Sequence, residues 1–280
     1  VFSNYYKGEN KLKRKFILLA LTAFIATTLF SGCASKQTKD SSLADIKAKG
    51  KFVVGLDDTF APMGYRDPDT NELIGFDIDL AKEAAKRMGV QVEFKPVDWA
   101  GVVMSLNNKD IDVIWNGLTI TADRQKEINY TKPYIKNSQM IVTLANSTIK
   151  TKADLSGKVV ATQLGSSSVD ALNAEPAVTK TFKELKKFDT FTTALTELKA
   201  KRADAVVIDA LVGNFYMAKE PGAYATLKEN FGEEQMGVGV RKTDETFLAE
   251  LNKVMDAMKA DGTADQIAKK WFGTADILIK

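Results

Sequence analysis

The chain has 280 residues, 45% hydrophobic and 27% charged, enough for a sizeable core and for two domains or lobes. Its formal charge of +3 is local: five of the 39 basic and one of the 36 acidic side chains precede Cys33, leaving 34 against 35, so net charge gives no field that would draw nucleic-acid phosphate. The absence of histidine excludes Ser-His-Asp and Cys-His nucleophile systems and histidine metal ligands, and the single cysteine excludes an internal disulfide or a zinc site. Carboxylate or lysine catalysis stays open, and nothing calls for a cofactor or a metal.

At the N-terminus KLKRK (11–15) leads into FILLALTAFIATTLF (16–30), a mostly apolar run shorter than the ~20 residues of a membrane span. A basic segment, a short apolar segment and the small pair Ser31-Gly32 read as a secretory signal over residues 1–32, with a retained membrane anchor as the alternative. The polar, aperiodic ASKQTKDSS that follows Cys33 reads as a flexible tether, so that residues 33–42 separate the N-terminus from the first domain.

A short helix ending at Gly50 comes next, then a strand, KFVVGL, over 51–56. Residues 57–75, with Pro62, Gly64, Pro68 and Gly75, read as a long turn-rich loop. FDIDLAKEAAKRMG places Phe76, Ile78, Leu80, Ala81, Ala84, Ala85 and Met88 on one face of an amphipathic helix. VQVEFKPV predicts a strand, DWAGVVMSLNNK a helix capped by Asp98, and IDVIWN another strand. A second series begins with a strand at 158–161, then a turn, GSSS, into a helix. A further helix leads to a strand ending at Asp209, followed by the helix of LVGNFYMAKEPG. Two helices broken at Asp261-Gly262 complete the chain. Strand–helix alternation of this kind predicts an α/β fold in two units, with no sequence repeat between them.

Ligands of open α/β sheets bind beyond the carboxyl ends of the strands. Four polar stretches lie there: DDTF at 57–60, NGLTITADR at 116–124, QLGSSS at 163–168, and Asp209. Such a set suits a zwitterion. A guanidinium takes a carboxylate in two parallel hydrogen bonds, free N–H groups at a helix start grip the same group, and a buried acid receives an ammonium. From the pattern alone Arg124 is equally a surface arginine, the Gly165 turn a plain helix cap, and Asp209 a cap of the helix after it.

Six stretches in order, GLDDTFAPMGY, ELIGFDIDLAKEAAKRMG, NGLTITADRQKEINYTKPY, LSGKVVATQLGSSS, RADAVVID and MKADGTADQIAKKWFG, closely resemble the polar amino-acid-binding proteins of bacterial ABC importers, the extracellular solute-binding proteins of family 3. The likeness covers about 43–280. It implies a type II periplasmic-binding-protein fold: two α/β lobes joined by two crossing strands, near 138–144 and 235–240, with the ligand in the cleft. Lobe 1 would hold 43–139 and 236–280, and lobe 2 would hold 140–235. By the same resemblance Arg124 clamps the ligand α-carboxylate, aided by Thr119 and by the backbone N–H of Ser166 or Ser167. The Gly117 carbonyl, Thr119 and Asp209 receive the α-ammonium. Asp57, Phe60 and Trp99 wall the side-chain pocket, with Asn116 and Gln163 at its variable positions, while Trp115 is expected in packing and Asp58 in solvent.

The step LFSG–Cys33 resembles the lipobox of bacterial lipoproteins, with Phe30 where leucine is usual. It implies a lipid on Cys33 and a place on the outer face of the cell membrane. The partners implied are an L-amino acid, the permease subunits of an ABC importer and the membrane, with the protein itself a monomer. Two other functions share these features: an enzyme resembling cyclohexadienyl dehydratase, and a surface adhesin or sensor lipoprotein. Cationic, glutamine-like, cystine-like and aromatic ligands all stay open.

Overall fold

The computed structural model describes residues 40–280; the signal segment, Cys33 and the first part of the tether lie outside the described residues. Two five-stranded sheets organise the chain. The first is built from β1 (Lys51–Leu56), β5 (Gln91–Pro96), β6 (Val113–Ile114), β7 (Ile128–Tyr130) and β13 (Gly239–Arg241), in the order β5-β1-β6-β13-β7. The second is built from β8 (Ile135–Leu144), β9 (Val159–Gln163), β10 (Glu184–Phe188), β11 (Ala205–Asp209) and β12 (Tyr224–Met236), in the order β10-β9-β11-β8-β12. In each sheet three neighbouring strands run parallel: β1 with β5 and β6, β9 with β10 and β11. The remaining pairings, β13 with β6 and β7 and β8 with β11 and β12, are antiparallel.

The chain enters the second sheet along β8 and leaves it along β12, and these two long strands pair antiparallel from Tyr224↔Leu144 to Met236↔Ile135. Because β13 returns between β6 and β7 of the first sheet, that half is discontinuous in sequence. The result is the two-lobed α/β architecture of the type II periplasmic-binding proteins, with two strands crossing between the lobes.

Local chemistry explains the helices. In α2 (Phe76–Met88), which follows α1 (Ser42–Lys49), the apolar face predicted from spacing is buried, and Gly89 closes the helix at φ 67, where a side chain would be strained. α3 (Val102–Asn107) follows a short 3-10 turn whose cap is Asp98, its carboxylate accepting from the Ala100 N–H at 3.0 Å. Further on come α4 (Ala122–Glu127), α5 (Ser167–Ala174), α6 (Pro176–Thr179), α7 (Phe191–Lys199) and α8 (Ala210–Lys219). α9 (Glu245–Ala260) and α10 (Thr263–Phe272) are broken where Asp261-Gly262 predicts it. All five residues of β11 are buried, as fits a strand covered on both faces.

The structure departs from the sequence reading in four places. Residues 57–75 are not only loop: β2 (Thr59–Phe60), β3 (Gly64–Arg66) and β4 (Leu73–Ile74) form a small antiparallel sheet, and Asp58 pairs with Arg66 at 2.8 Å instead of standing free in solvent. β10, ELKKF, was not foreseen because it is an edge strand whose charges stand in water. The chain does pass from the second sheet to the first near 235–240, but the strand that leads there, β12, begins already at 224, which the sequence reading did not include. Its sequence is charged and its pairing slips on both sides of Asn230, which erases the alternation a strand should show. Finally, the tether does not extend to residue 42. Asp40 already accepts the Thr246 N–H at 2.5 Å, and Ser42 Oγ accepts the Phe247 N–H at 3.2 Å. The free donors at the head of α9, whose own cap residue makes no such bond, draw this segment in.

Candidate functional site

The carboxyl ends of β1, β6, β9 and β11 deliver Asp57, the Asn116–Gly117 turn, Gln163 and Asp209 to the space between the halves. Gly117 sits at φ 62, and a Cβ there would stand 2.7 Å from Phe60 Cε1, so both conformation and space demand glycine. The turn is held from below. Asp77 Oδ2 accepts the Gly117 N–H at 2.7 Å, and the Tyr134 hydroxyl donates to the same carboxyl at 2.9 Å. Burial pushes the Asp77 carboxyl up to about 7, only partly opposed by Tyr134 and the Gly117 N–H. Trp115 lies fully in the core, as predicted.

After the turn, Thr121 caps α4 by accepting the Arg124 N–H at 3.3 Å. The first turn of that helix aims Arg124 back into the cleft. Its Nη1 donates to the Thr119 carbonyl at 3.0 Å and its Nη2 to the Gly165 carbonyl of the opposite half at 2.8 Å. The guanidinium lies 6.0 Å from the Trp99 ring, which stacks on Phe60 at 6.3 Å. From the second half, Gly165 (φ 73) brings the backbone against Ala100, where a Cβ would meet Ala100 Cα at 2.7 Å. Ser166 and Ser167 head α5, whose first N–H groups have no acceptor within the helix.

Between these elements lies a cavity of about 10 Å³. Its lining residues are Phe60, Trp99, Gly117, Arg124, Gln163, Ser166, Ser167 and Asp209, each a candidate from the sequence. The other three candidates, Asp57, Asn116 and Thr119, adjoin the lining residues. Asp57 accepts from Thr59 N–H and Oγ1 at 2.9 and 2.7 Å, and its Oδ2 accepts from Gln163 Nε2 across the cleft at 2.7 Å. Asn116 Oδ1 accepts the Asp57 N–H at 3.0 Å, while its buried Nδ2 has no partner among the described residues. Thr119 lies 3.1 Å from Ser167, hydroxyl to hydroxyl.

Sequence reasoning missed the floor of the site. Asn137 and Gln139, on β8, each offer their amide nitrogen to Asp209 Oδ1, at 2.5 and 3.1 Å, and to Glu234 Oε2, at 3.1 and 3.0 Å. Polar side chains at two-residue spacing on the buried face of a strand were the available signal; Glu234, within GEEQ, gave none. Burial, then the Glu234 charge, pushes Asp209 up to about 8, against the pull of Asn137, Arg124 and Gln139. The site therefore carries a cation at one end, an acid held at odds with its surroundings at the other, and aromatic rings at the side, which is an arrangement for gripping a small zwitterion.

The bacterial extracellular solute-binding proteins, family 3, match the chain over residues 52–274. The L-cystine-binding protein TcyJ of Escherichia coli (strain K12) is 33% identical over 261 residues, which is 92% of this chain and 96% of its own. An ABC uptake transporter substrate-binding protein from Streptococcus pneumoniae, solved with bound histidine, is 33% identical with a TM-score of 0.83, covering 87% of this chain and all of that one. The ancestral amino-acid-binding protein AncCDT-1, described as a precursor of cyclohexadienyl dehydratase, is 34% identical with a TM-score of 0.76, covering 83% of this chain and 100% of that one. By the extent of the family match and the identity of these relatives, the chain belongs to the bacterial extracellular solute-binding proteins, family 3.

Proposed function

We propose that this protein captures a polar L-amino acid outside the membrane and delivers it to the permease subunits of an ABC importer. One observation carries the reading: Arg124 and Asp209 belong to opposite halves and face one cavity, a guanidinium across from a carboxyl group. Arg124 and the N–H of Ser166 or Ser167 take the ligand carboxylate. Asp209, the Gly117 carbonyl and Thr119 take the ammonium. Phe60 and Trp99 flank its side chain, with Asp57, Asn116 and Gln163 behind them. Residues 43–139 and 236–280 act as one lobe and 140–235 as the other. The protein works as a monomer, its signal (1–32) removed and Cys33 lipidated, on the outer face of the membrane. A Cys33→Ser protein that still partitioned into detergent with unchanged mass would exclude that anchor.

Lobe closure is the working step. The bonds from Arg124 to Gly165, Gln163 to Asp57 and Tyr216 to Thr59 tie the two halves together. A cavity of about 10 Å³ has room for roughly one water, so an amino acid enters only when the halves part. Contacts to both halves then favour the closed form, and the importer reads closure as loading.

Thermal shift against L-cystine, L-glutamine, L-arginine and L-histidine tests the reading, since a ligand at a hundred times its Kd stabilises by ~2.7 kcal/mol. Arg124→Ala should lose every ligand by about a hundredfold or more, because a buried carboxylate left without its cation loses ~3–5 kcal/mol. Wild-type affinity in a folded Arg124→Ala protein would overturn the clamp. The similarity to AncCDT-1 favours one second reading, a dehydratase acting on prephenate or arogenate. Turnover of either would establish it, and none is expected.

A further inference from the structure

Glu234 lies on β12, the strand that returns from the second half to the first, and its side chain turns into the cleft. Its Oε2 accepts from Thr119 Oγ1 at 3.0 Å and lies 3.3 Å from Ser167 Oγ, besides the bonds from Asn137 and Gln139. The orientation of those two amides is not arbitrary. Gln139 Oε1 accepts from Ser168 Oγ, and Asn137 Oδ1 accepts from the Leu211 N–H at 3.5 Å, so each NH₂ group is left to face the acids. Each amide nitrogen then serves Asp209 and Glu234 at once, which holds the two carboxylates within a few ångströms of each other.

The Glu234 charge so close to Asp209 disfavours the Asp209 carboxylate, and the neutral donors around the two do not cancel the repulsion. The groups facing the pair are Thr119 and Ser167 from the two sides of the cleft, Asn137 and Gln139 from β8, and Arg124 from α4. Arg124 is the one charged group among these, and both of its Nη atoms are already bonded to carbonyls. What the pair lacks is a cation with several donors, and Thr119 and Asp209 are the groups assigned above to a ligand ammonium.

We propose that Glu234 is a second acid of the ammonium subsite: it presents its charge to the ligand beside Asp209, and the entering ammonium displaces to solvent the proton that Asp209 holds. The inference rests on the amino-acid reading above and adds a residue and a proton to it. The ligand stays an ammonium throughout; Asp209 goes from acid to carboxylate, and the buffer takes the proton. The upward shift of Asp209 agrees with this and places the exchange below about pH 8.

The test is the pH dependence of affinity, measured by calorimetry with the tightest binder among L-cystine, L-glutamine, L-arginine and L-histidine. Between pH 6 and 8 the wild-type affinity should rise with pH by close to tenfold per pH unit for one displaced proton, and that of Glu234→Gln should rise less steeply, because burial of Asp209 persists while the Glu234 charge is gone. Comparing the two proteins with the same ligand removes the ligand's own titration. Glu234→Asp should keep the wild-type slope, which a residue that merely packs the hinge would not require. Equal slopes in wild type and Glu234→Gln would overturn the proposal while leaving the amino-acid site intact. If Glu234→Gln does not fold, wild-type titrations in two buffers of different ionisation enthalpy decide: close to one proton released supports the proposal, and none released overturns it. Binding of none of the four amino acids overturns the amino-acid reading, and this inference with it.

Discussion

Asp77 and Asp209 are two acids on opposite sides of the cleft, 0% and 3% exposed, and burial raises both. Their partners differ. Asp77 accepts from the Gly117 N–H and the Tyr134 hydroxyl, fixed donors that complete it. Asp209 shares its two amide donors with Glu234, a second acid that pushes against it. Burial alone therefore does not distinguish a structural acid from a functional one. The distinction lies in whether the hydrogen-bonding complement is complete, as at Asp77, or leaves a place for a cation, as at Asp209.

The largest effect that would break this comparison comes from Asp77. Asp77→Ala strands the Gly117 N–H and the Tyr134 hydroxyl in the core, each worth ~1–3 kcal/mol, so the protein should lose roughly 2–6 kcal/mol of stability in urea denaturation. The pH sense is also fixed. An acid raised on folding binds its proton more tightly in the folded state, so its contribution falls as pH rises from its unfolded value near 4 through about 7. Asp77→Asn should flatten that fall. A silent Asp77→Ala would show that the Gly117 turn stands without its support.

Asp209→Asn should do the reverse. The amide oxygen still accepts from Asn137 and Gln139, and its nitrogen can donate to Glu234, so stability at pH 8 should hold or rise. Affinity for the bound amino acid should drop at least about tenfold, ~1.4 kcal/mol. A variant that lost stability and kept its affinity would make Asp209 a structural acid like Asp77.

The two acids also show what the sequence exposes and what it hides. Asp209 ends an apolar run, RADAVVID, at the carboxyl end of a strand, and Arg124 ends a hydroxyl-rich turn. Both positions are legible because local pattern puts them at or just beyond strand ends, and the family resemblance then turns one of two open readings into a cleft role. The α2 face and the break at Asp261-Gly262 are legible from local pattern alone. Asp77 was hidden inside FDIDLAKEAAKRMG, where the pattern reports a helix start and a charged residue is assigned to solvent by default. Its burial depends on Gly117 and Tyr134, 40 and 57 residues away. Glu234 was hidden for a stronger reason. Its strand slips register twice, so nothing local says which face each side chain takes, and only the pairing with β8 turns it into the cleft.

The smallest effect sharpens the comparison with an acid of opposite sense. Asp40 also binds fixed backbone donors, accepting the Ser42 N–H at 2.8 Å and the Thr246 N–H at 2.5 Å. It lies near the surface, where the burial that would raise it is outweighed by the N–H groups of Thr246 and Ser42, and it falls to about 2. A depressed acid contributes stability above its unfolded value near 4 and loses it as pH drops through about 2, the opposite of Asp77. Because Asp40 acts as a distant cap on α9, Asp40→Ala should lose about 1 kcal/mol at pH 7. The difference from wild type should shrink steadily between pH 4 and 2. Urea denaturation at pH 7 and pH 3 checks both halves of the expectation. A deficit of equal size at the two pH values would mean that the side chain matters for its packing, and that the carboxylate charge does not hold this segment to the helix.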